Sequence, residues 1–185
     1  ANGIRVKAFD KKSQQLHFLK EEITRTNLII KKLYNTKINF KNLEIVDSIE
    51  EAVKNADLIQ ENVHERLTLK KDVIKNISKY SPSNSIIASS SSGLLPSDLQ
   101  SKCINPKRLI IAHPFNPVYI LPLVEIVKGK KTTNLYLNKA KKFYQKIKMK
   151  TLLVEKELPG FLSDRLQEAL WLSLIHISEP TRHRL

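Results

Sequence analysis

The passage that most limits what this chain can form runs from Leu109 to Val127, LIIAHPFNPVYILPLVEIV. Its first four residues, Leu109, Ile110, Ile111 and Ala112, read as a buried strand, and His113 stands where that strand ends. Pro114, Pro117 and Pro122 forbid a helix after it and force an irregular, extended path. A second apolar run over 123–127 then carries one carboxylate, Glu125, between Val124 and Ile126. An ionised side chain inside a strand is costly without a partner. Two readings are open. In one, His113 on a nearby strand end is that partner, and the carboxylate fixes the ring's tautomer and supports the imidazolium. In the other, Glu125 faces water from an edge strand beside a structural histidine.

Alternation of strand and helix runs through the whole chain. A turn at Asn2 and Gly3 precedes a strand over 4–9 that Asp10 closes. Residues 12–33 carry Leu16, Leu19, Ile23 and Ile30 on one face of a long helix. After a strand over 43–46, Ser48 with Glu51 makes a capping box that opens a short helix through Ala56. A strand over 58–60 ends at Glu61 and Asn62. The helix over 65–80 is broken by Pro82, Ser83 and Asn84, and a strand over 86–88 leads into SSSSG. Residues 133–149 form a lysine-faced helix with Leu135, Ala140, Phe143 and Ile147 turned inward; 151–154 is a last strand. Pro159 and Gly160 mark a hinge, and a helix begins over 161–171.

This order predicts an α/β fold, a Rossmann-like doubly wound sheet with helices on both faces. An acid closing a strand is where such a sheet holds the ribose hydroxyls of a dinucleotide. The Gly-rich turn that goes with it belongs about 20 residues earlier, ahead of Ala1. The expectation is therefore a sheet without its first strand.

Composition excludes some functions. Hydrophobic residues at 41% and charged residues at 27% are those of a soluble globular protein. No run reaches the roughly eighteen apolar residues of a membrane span, and no leader marks export. A lone cysteine, Cys103, forms no internal disulfide and suits a reducing cytoplasm. The net charge of +14 raises nucleic acid as a partner. The lysines, however, are spread over KKSQQ, KKLYNTK, LKKDVIK and KAKKFYQKIKMK, with no recognition helix, zinc spacing or stacking aromatics. Neither nucleic acid nor membrane is the expected partner. The serine cluster reads either as a flexible turn or as hydroxyls and amides open to a ligand at a strand's carboxyl end. No general base adjoins Ser92, so a serine nucleophile is not favoured.

His113, Asn116 and Glu125, in the frame HPFNP followed by LVE, resemble the signature of the 3-hydroxyacyl-CoA dehydrogenase family. IIASSSSGLLPSDL upstream and ELPGFLSDRLQEALW downstream resemble it in the same order. The wording is most similar to the branch of that family acting on L-carnitine. The resemblance implies an NAD-binding domain over 1–158, the start of an all-helical C-terminal domain over 159–171, and a homodimer for the full-length protein. It implies His113 as general base toward a 3-hydroxyl, Glu125 as its orienting carboxylate, and Ser92 and Asn116 at the reacting oxygen or nicotinamide edge. Asp10, Glu61, Asn62 and Ser90 are implied at the cofactor, although Ser90 falls where the family pattern often has Asn. Asp164 stands where the acyl-CoA enzymes carry Asn and the carnitine branch carries Asp. With Tyr119 and Trp171 it is a candidate for holding a trimethylammonium group. No metal is implied. The small-molecule substrate is then L-carnitine, with a 3-hydroxyacyl-CoA as the alternative; an inactive fragment or a non-enzymatic family member is the third reading. Residues 172–185 depart from the family pattern and resemble an in-frame translation of a sequencing adapter. They are set apart as a tail, and His176 and His183 receive no functional weight.

Overall fold

The computed structural model describes residues 2–178. Residues 179–185, with His183, and the side chain of His176 lie outside the described residues. The first strand, β1 (Val6–Ala8), leads through Asp10 into the long helix α1 (Ser13–Tyr34) and then to β2 (Leu43–Ile45), which pairs with β1 in parallel. Next come α2 (Ile49–Val53), β3 (Leu58–Glu61), α3 (Leu67–Tyr80) and β4 (Ile86–Ser89). The short α4 (Pro96–Leu99) precedes β5 (Leu109–Pro114) and β6 (Leu123–Lys128). The chain ends through α5 (Asn134–Lys146), β7 (Lys150–Val154) and α6 (Ser163–Ser178).

Strands β3 to β7 form one sheet in sequence order, parallel throughout except for the antiparallel pair β5–β6. That exception follows from the short proline-rich connection, since a parallel return needs a crossover of a dozen or more residues. The α/β fold with helices on both faces is as expected, with one difference. Among the described residues β1 and β2 form a separate two-stranded sheet, and no ladder joins them to β3. Helix α2 touches both β1 and α3 and so bridges the two parts.

Alternate residues of β5 explain its continuous apolar run. Leu109 and Ile111 pack with Val127, Ile74 and Ile77 on the α3 side. Ile110 and Ala112 pack with Val124, Ile126, Leu137, Ala140 and Tyr144 on the α5 side. A strand covered on both faces needs apolar residues at every position. The Ser48 cap forms as read, its Oγ accepting from the Glu51 amide at 3.1 Å. The inward face of α5 needs correction. Leu135 is 60% exposed, while Leu137, Ala140 and Tyr144 are buried. In the run Leu135–Tyr136–Leu137 periodicity alone admits either leucine, and packing against the sheet selects the second.

Two buried features were not anticipated. Arg108 donates to the carbonyls of Ser78 and Pro82 and to the hydroxyls of Ser81 and Ser85, pinning the α3–β4 turn. Its burial lowers its pKa. Near it, burial pushes the Cys103 thiol up and keeps it protonated, which suits a packing residue.

Candidate active site

His113 and Glu125 face each other directly in the β5–β6 ladder. Residues opposed in an antiparallel pair have Cβ atoms about 4.5–5.5 Å apart on the same face. Glu125 is fully buried, which removes the reading of a water-facing edge glutamate. The two groups have complementary deficits: His113 Nδ1 and Glu125 Oε2 are both buried and without a hydrogen-bond partner. Buried polar groups are normally satisfied, so each exception calls for a physical reason. The imidazole packs against two phenyl rings in tilted contacts, Phe115 at 5.1 Å and Phe161 at 6.3 Å between centroids.

Glu125 Oε1 is not idle. It accepts from the backbone amides of Leu162 at 2.8 Å and Ser163 at 3.3 Å, at the start of α6. These donors are aimed by a turn in which two successive residues are left-handed, Gly160 at φ 69° and Phe161 at φ 48°. Glycine takes that conformation freely, whereas a phenylalanine in it is strained. Full burial of the Phe161 ring in the core beneath β5 and β6 offsets the strain. Amides presented by such a turn at a helix start attract an anion. The end of β5 is steadied from the other face. Tyr144 donates to Gln60 Oε1 at 2.5 Å, and Gln60 Nε2 donates across β4 to the Ala112 carbonyl at 3.1 Å.

The serine loop after β4 is held by two other carboxylates. Glu61, at the end of β3, is buried and pairs with buried Lys70 at 2.9 Å. It also accepts from Ser89 Oγ at 2.5 Å and from the Val63 amide at 2.6 Å. Glu65 accepts from the Ser91 hydroxyl and from the amides of Gly93 and Leu94, with Lys70 3.5 Å away. Partial burial works to raise its pKa, but those bonds and Lys70 together hold it below the usual glutamate value. Ser90 binds the Glu61 carbonyl through its amide and its hydroxyl. Ser92 is left exposed at the loop's crest.

The Glu61 side chain therefore has no oxygen turned to a ligand, and the expectation of a ribose contact does not fit its surroundings. Sequence reading missed Lys70, Glu65 and Phe161. A lysine nine residues after a glutamate is the available signal for the first, and it is weak in a chain with 32 basic residues. Asn62 is exposed, its Nδ2 on the Gln60 carbonyl. Asp10 is exposed just beyond β1, one oxygen capping the Lys12 amide at 2.8 Å. Asp10, Asn62, Ser90 and Ser92 thus lie at the carboxyl ends of three parallel strands, the edge at which open α/β sheets bind ligands.

Asn116 is exposed in the loop after His113, and its bond to Pro117 is cis. Tyr119 is half-buried, its carbonyl accepting from Tyr34 at the end of α1 at 2.7 Å. Asp164 is half-buried in the first turn of α6, and Trp171 is 53% exposed farther along it. Among the described residues no group of three or more His, Cys, Asp or Glu is placed to hold a metal ion. No described helix is long and apolar enough to cross a membrane.

Residues 1–158 match the family described as 3-hydroxyacyl-CoA dehydrogenase, NAD binding domain. This chain belongs to that family. Among curated relatives, the L-carnitine dehydrogenase of Oceanobacillus iheyensis is 56% identical over 135 residues, covering 73% of this chain and 44% of its own length. An L-carnitine dehydrogenase/betainyl-CoA thioesterase of a Rhizobium species is 45% identical over 170 residues, 91% of this chain and 34% of that protein. The chain thus spans less than half the length of these relatives. Among solved structures, 5-formyl-3-hydroxy-2-methylpyridine 4-carboxylic acid 5-dehydrogenase, an NAD+-dependent dismutase, superposes with a TM-score of 0.86 at 27% identity, over 97% of this chain and 59% of that one. A diketoreductase gives a TM-score of 0.88 at 25% identity, over 95% and 64%.

The family's dinucleotide suits the residues at the sheet's carboxyl edge. Asp10 offers an exposed carboxylate, and Asn62 and Ser92 offer exposed polar groups. A Gly-rich G-x-G-x-x-G turn is not found in these 185 residues, which contain only 4 glycines.

Proposed function

We propose that this chain supplies the NAD-binding half, and the proton-transfer pair, of an enzyme that oxidises the 3-hydroxyl of L-carnitine to 3-dehydrocarnitine. The observation that carries the chemistry is the pair of leftover atoms, His113 Nδ1 and Glu125 Oε2, buried on directly opposed residues. A neutral imidazole whose Nδ1–H is directed at a carboxylate keeps its Nε2 lone pair for the proton of the substrate hydroxyl. The same carboxylate then balances the imidazolium. NAD held at the sheet's carboxyl edge would supply the hydride acceptor for the carbinol carbon. Ser92 and Asn116 hold the reacting oxygen or the nicotinamide edge. Asp10 takes the adenosine ribose hydroxyls, which favours NAD over NADP because a 2′-phosphate would meet a carboxylate. Asn62 and Ser90 complete the crevice; Glu61 serves it indirectly, by holding the serine loop. Support for the substrate is the 56% identity to a relative named L-carnitine dehydrogenase, together with an acid at Asp164. Asp164 and Tyr119 face the cationic end of the substrate in this reading. A cytoplasmic homodimer without nucleic-acid or membrane partners completes the proposal.

The test is NADH production by the chain extended to its relatives' full length, with L-carnitine beside 3-hydroxybutyryl-CoA. Turnover of carnitine and not of the thioester is the expected result. Turnover of the thioester alone would keep the pair and replace the substrate; activity with neither would overturn the assignment.

A further inference from the structure

We infer that Gln60 and Tyr144 form a positioning pair for His113, holding the peptide unit from which the imidazole projects. This rests on the reading of His113 as the base, and it holds for either candidate 3-hydroxy substrate. Strand β4 leaves the sheet early. Its last pairing with β5 is Ser89 with Ile111, so the Ala112 carbonyl lies one residue beyond that ladder. The next two amides of the chain are engaged elsewhere, Ser90 on the Glu61 carbonyl and Ser91 on Ser89 Oγ. Opening the serine loop thus takes a donor from β5, and Gln60 replaces it. From β3 its Nε2 reaches over β4 and donates to the Ala112 carbonyl at 3.1 Å. The span crosses Ala88, the partner of Gln60 on β4, whose single methyl leaves room for the longer side chain.

The direction of the amide is fixed by its partners. A backbone carbonyl only accepts, so the nitrogen end of Gln60 has to face Ala112. The oxygen end is then left for a donor, and the Tyr144 hydroxyl meets it at 2.5 Å. Tyr144 is 5% exposed, and burial raises its phenol pKa, so the hydroxyl keeps its proton and donates at any working pH. Without that donor nothing on this side keeps the amide from turning over and setting oxygen against oxygen.

The peptide held in this way is the one that begins His113. On its other flank His113 is opposed to Glu125 in the β5–β6 ladder. The strand end that carries the base is therefore fixed from both sides, by β6 on one and by a side chain standing in for β4 on the other. His113 Nδ1 and Glu125 Oε2 are the atoms left without partners, and their alignment depends on the backbone beneath them. Misplacing a reacting group by about 1 Å costs up to about 10²-fold in rate. Tyr144 sits in the core on the α5 side and reaches the reaction only through Gln60 and the Ala112 carbonyl.

The experiment uses the full-length protein and two readouts: turnover of L-carnitine and of 3-hydroxybutyryl-CoA, and NMR of the enzyme carrying isotope-labelled histidine. Gln60→Met keeps an unbranched side chain of similar length without the amide, and Tyr144→Phe removes only the hydroxyl. With whichever substrate the parent turns over, Gln60→Met should lower kcat about ten- to a hundred-fold and leave KM within about two-fold. Tyr144→Phe should lower kcat about three- to ten-fold. The double variant should fall no further than Gln60→Met alone, because Tyr144 acts through Gln60. The ring-nitrogen signal of His113, assigned by its loss in His113→Gln, should move in both single variants. An active parent whose kcat and His113 signal are untouched by either substitution would overturn the inference, as would losses that multiply in the double variant. A parent inactive on both substrates, with the His113 signal still moved, would sustain the positioning role and remove the function. If Gln60→Met does not fold, Tyr144→Phe gives the same two readouts, and no change in either would overturn the pair.

Discussion

Glu61 and Glu125 are both buried carboxylates of one sheet, with two strands between them, and the protein treats them in opposite ways. Around Glu61 every oxygen is committed, to a lysine ammonium, a serine hydroxyl and a backbone amide. Around Glu125 no cation is present among its bonded partners; two amides hold one oxygen and the other is left without a donor, opposite an equally unpartnered histidine nitrogen. A carboxylate neutralised and saturated has no capacity left for chemistry. One that is anchored on a single side keeps an oxygen for a proton-carrying neighbour. The distinction between the two carboxylates therefore lies in the unfilled valence, since burial is common to both.

Removing the brace should have the largest effect. Lys70→Met strands the Glu61 charge in the interior, and breaking a buried pair from one side costs about 3–5 kcal/mol. Urea unfolding should register that loss, and adding Glu61→Gln should recover much of it. A single variant indistinguishable from the parent would erase the contrast drawn here. Glu125→Gln should act the other way round. Its amide oxygen still accepts from Leu162 and Ser163, so stability changes little, while turnover in the full-length protein falls about 10²-fold or more. Equal losses in stability for the two glutamates would mean that Glu125 is a brace as well.

Glu65 gives the smallest expected effect. It is 40% exposed on its side chain, so Glu65→Gln should cost only about 1 kcal/mol after allowance for solvent screening. Its folded-state pKa is lowered, so the stability it provides is complete above the ordinary value of 4.5 and is lost as pH falls below that, through the depressed value. The parent should lose stability over that acid window, and the Glu65→Gln variant should lose less. Parallel pH curves would show that the serine loop does not depend on this charge.

The parts of this contrast differed in how readily the sequence disclosed them. Glu125 and His113 were legible because apolar runs of 109–112 and 123–127 leave a lone acid and a strand-ending histidine conspicuous. The Ser48 cap was legible because a cap is local. Glu61 was read as a ligand contact and its pairing with Lys70 went unread, since an acid at a strand's carboxyl end looks the same in sequence whether it faces a crevice or a lysine on the next helix. The left-handed conformation of Phe161 has no sequence signature beyond the glycine before it. Nor does any local pattern connect Tyr34 at the end of α1 with the Tyr119 carbonyl, which lie 85 positions apart in the chain. Such pairings arise from how helices settle on the sheet, and only tertiary packing supplies that information.

The Gly160–Phe161 turn has a mechanical consequence. The amides it aims at Glu125 belong to the helix that leaves the sheet, so that helix is fastened to the carboxylate that faces His113 across the β5–β6 ladder. Withdrawing α6 would strip two donors from a fully buried carboxylate, a loss the interior does not make good. Seating α6 restores them. The joint between the sheet and α6 thus works as a latch: the helix start is held where a buried charge needs its donors.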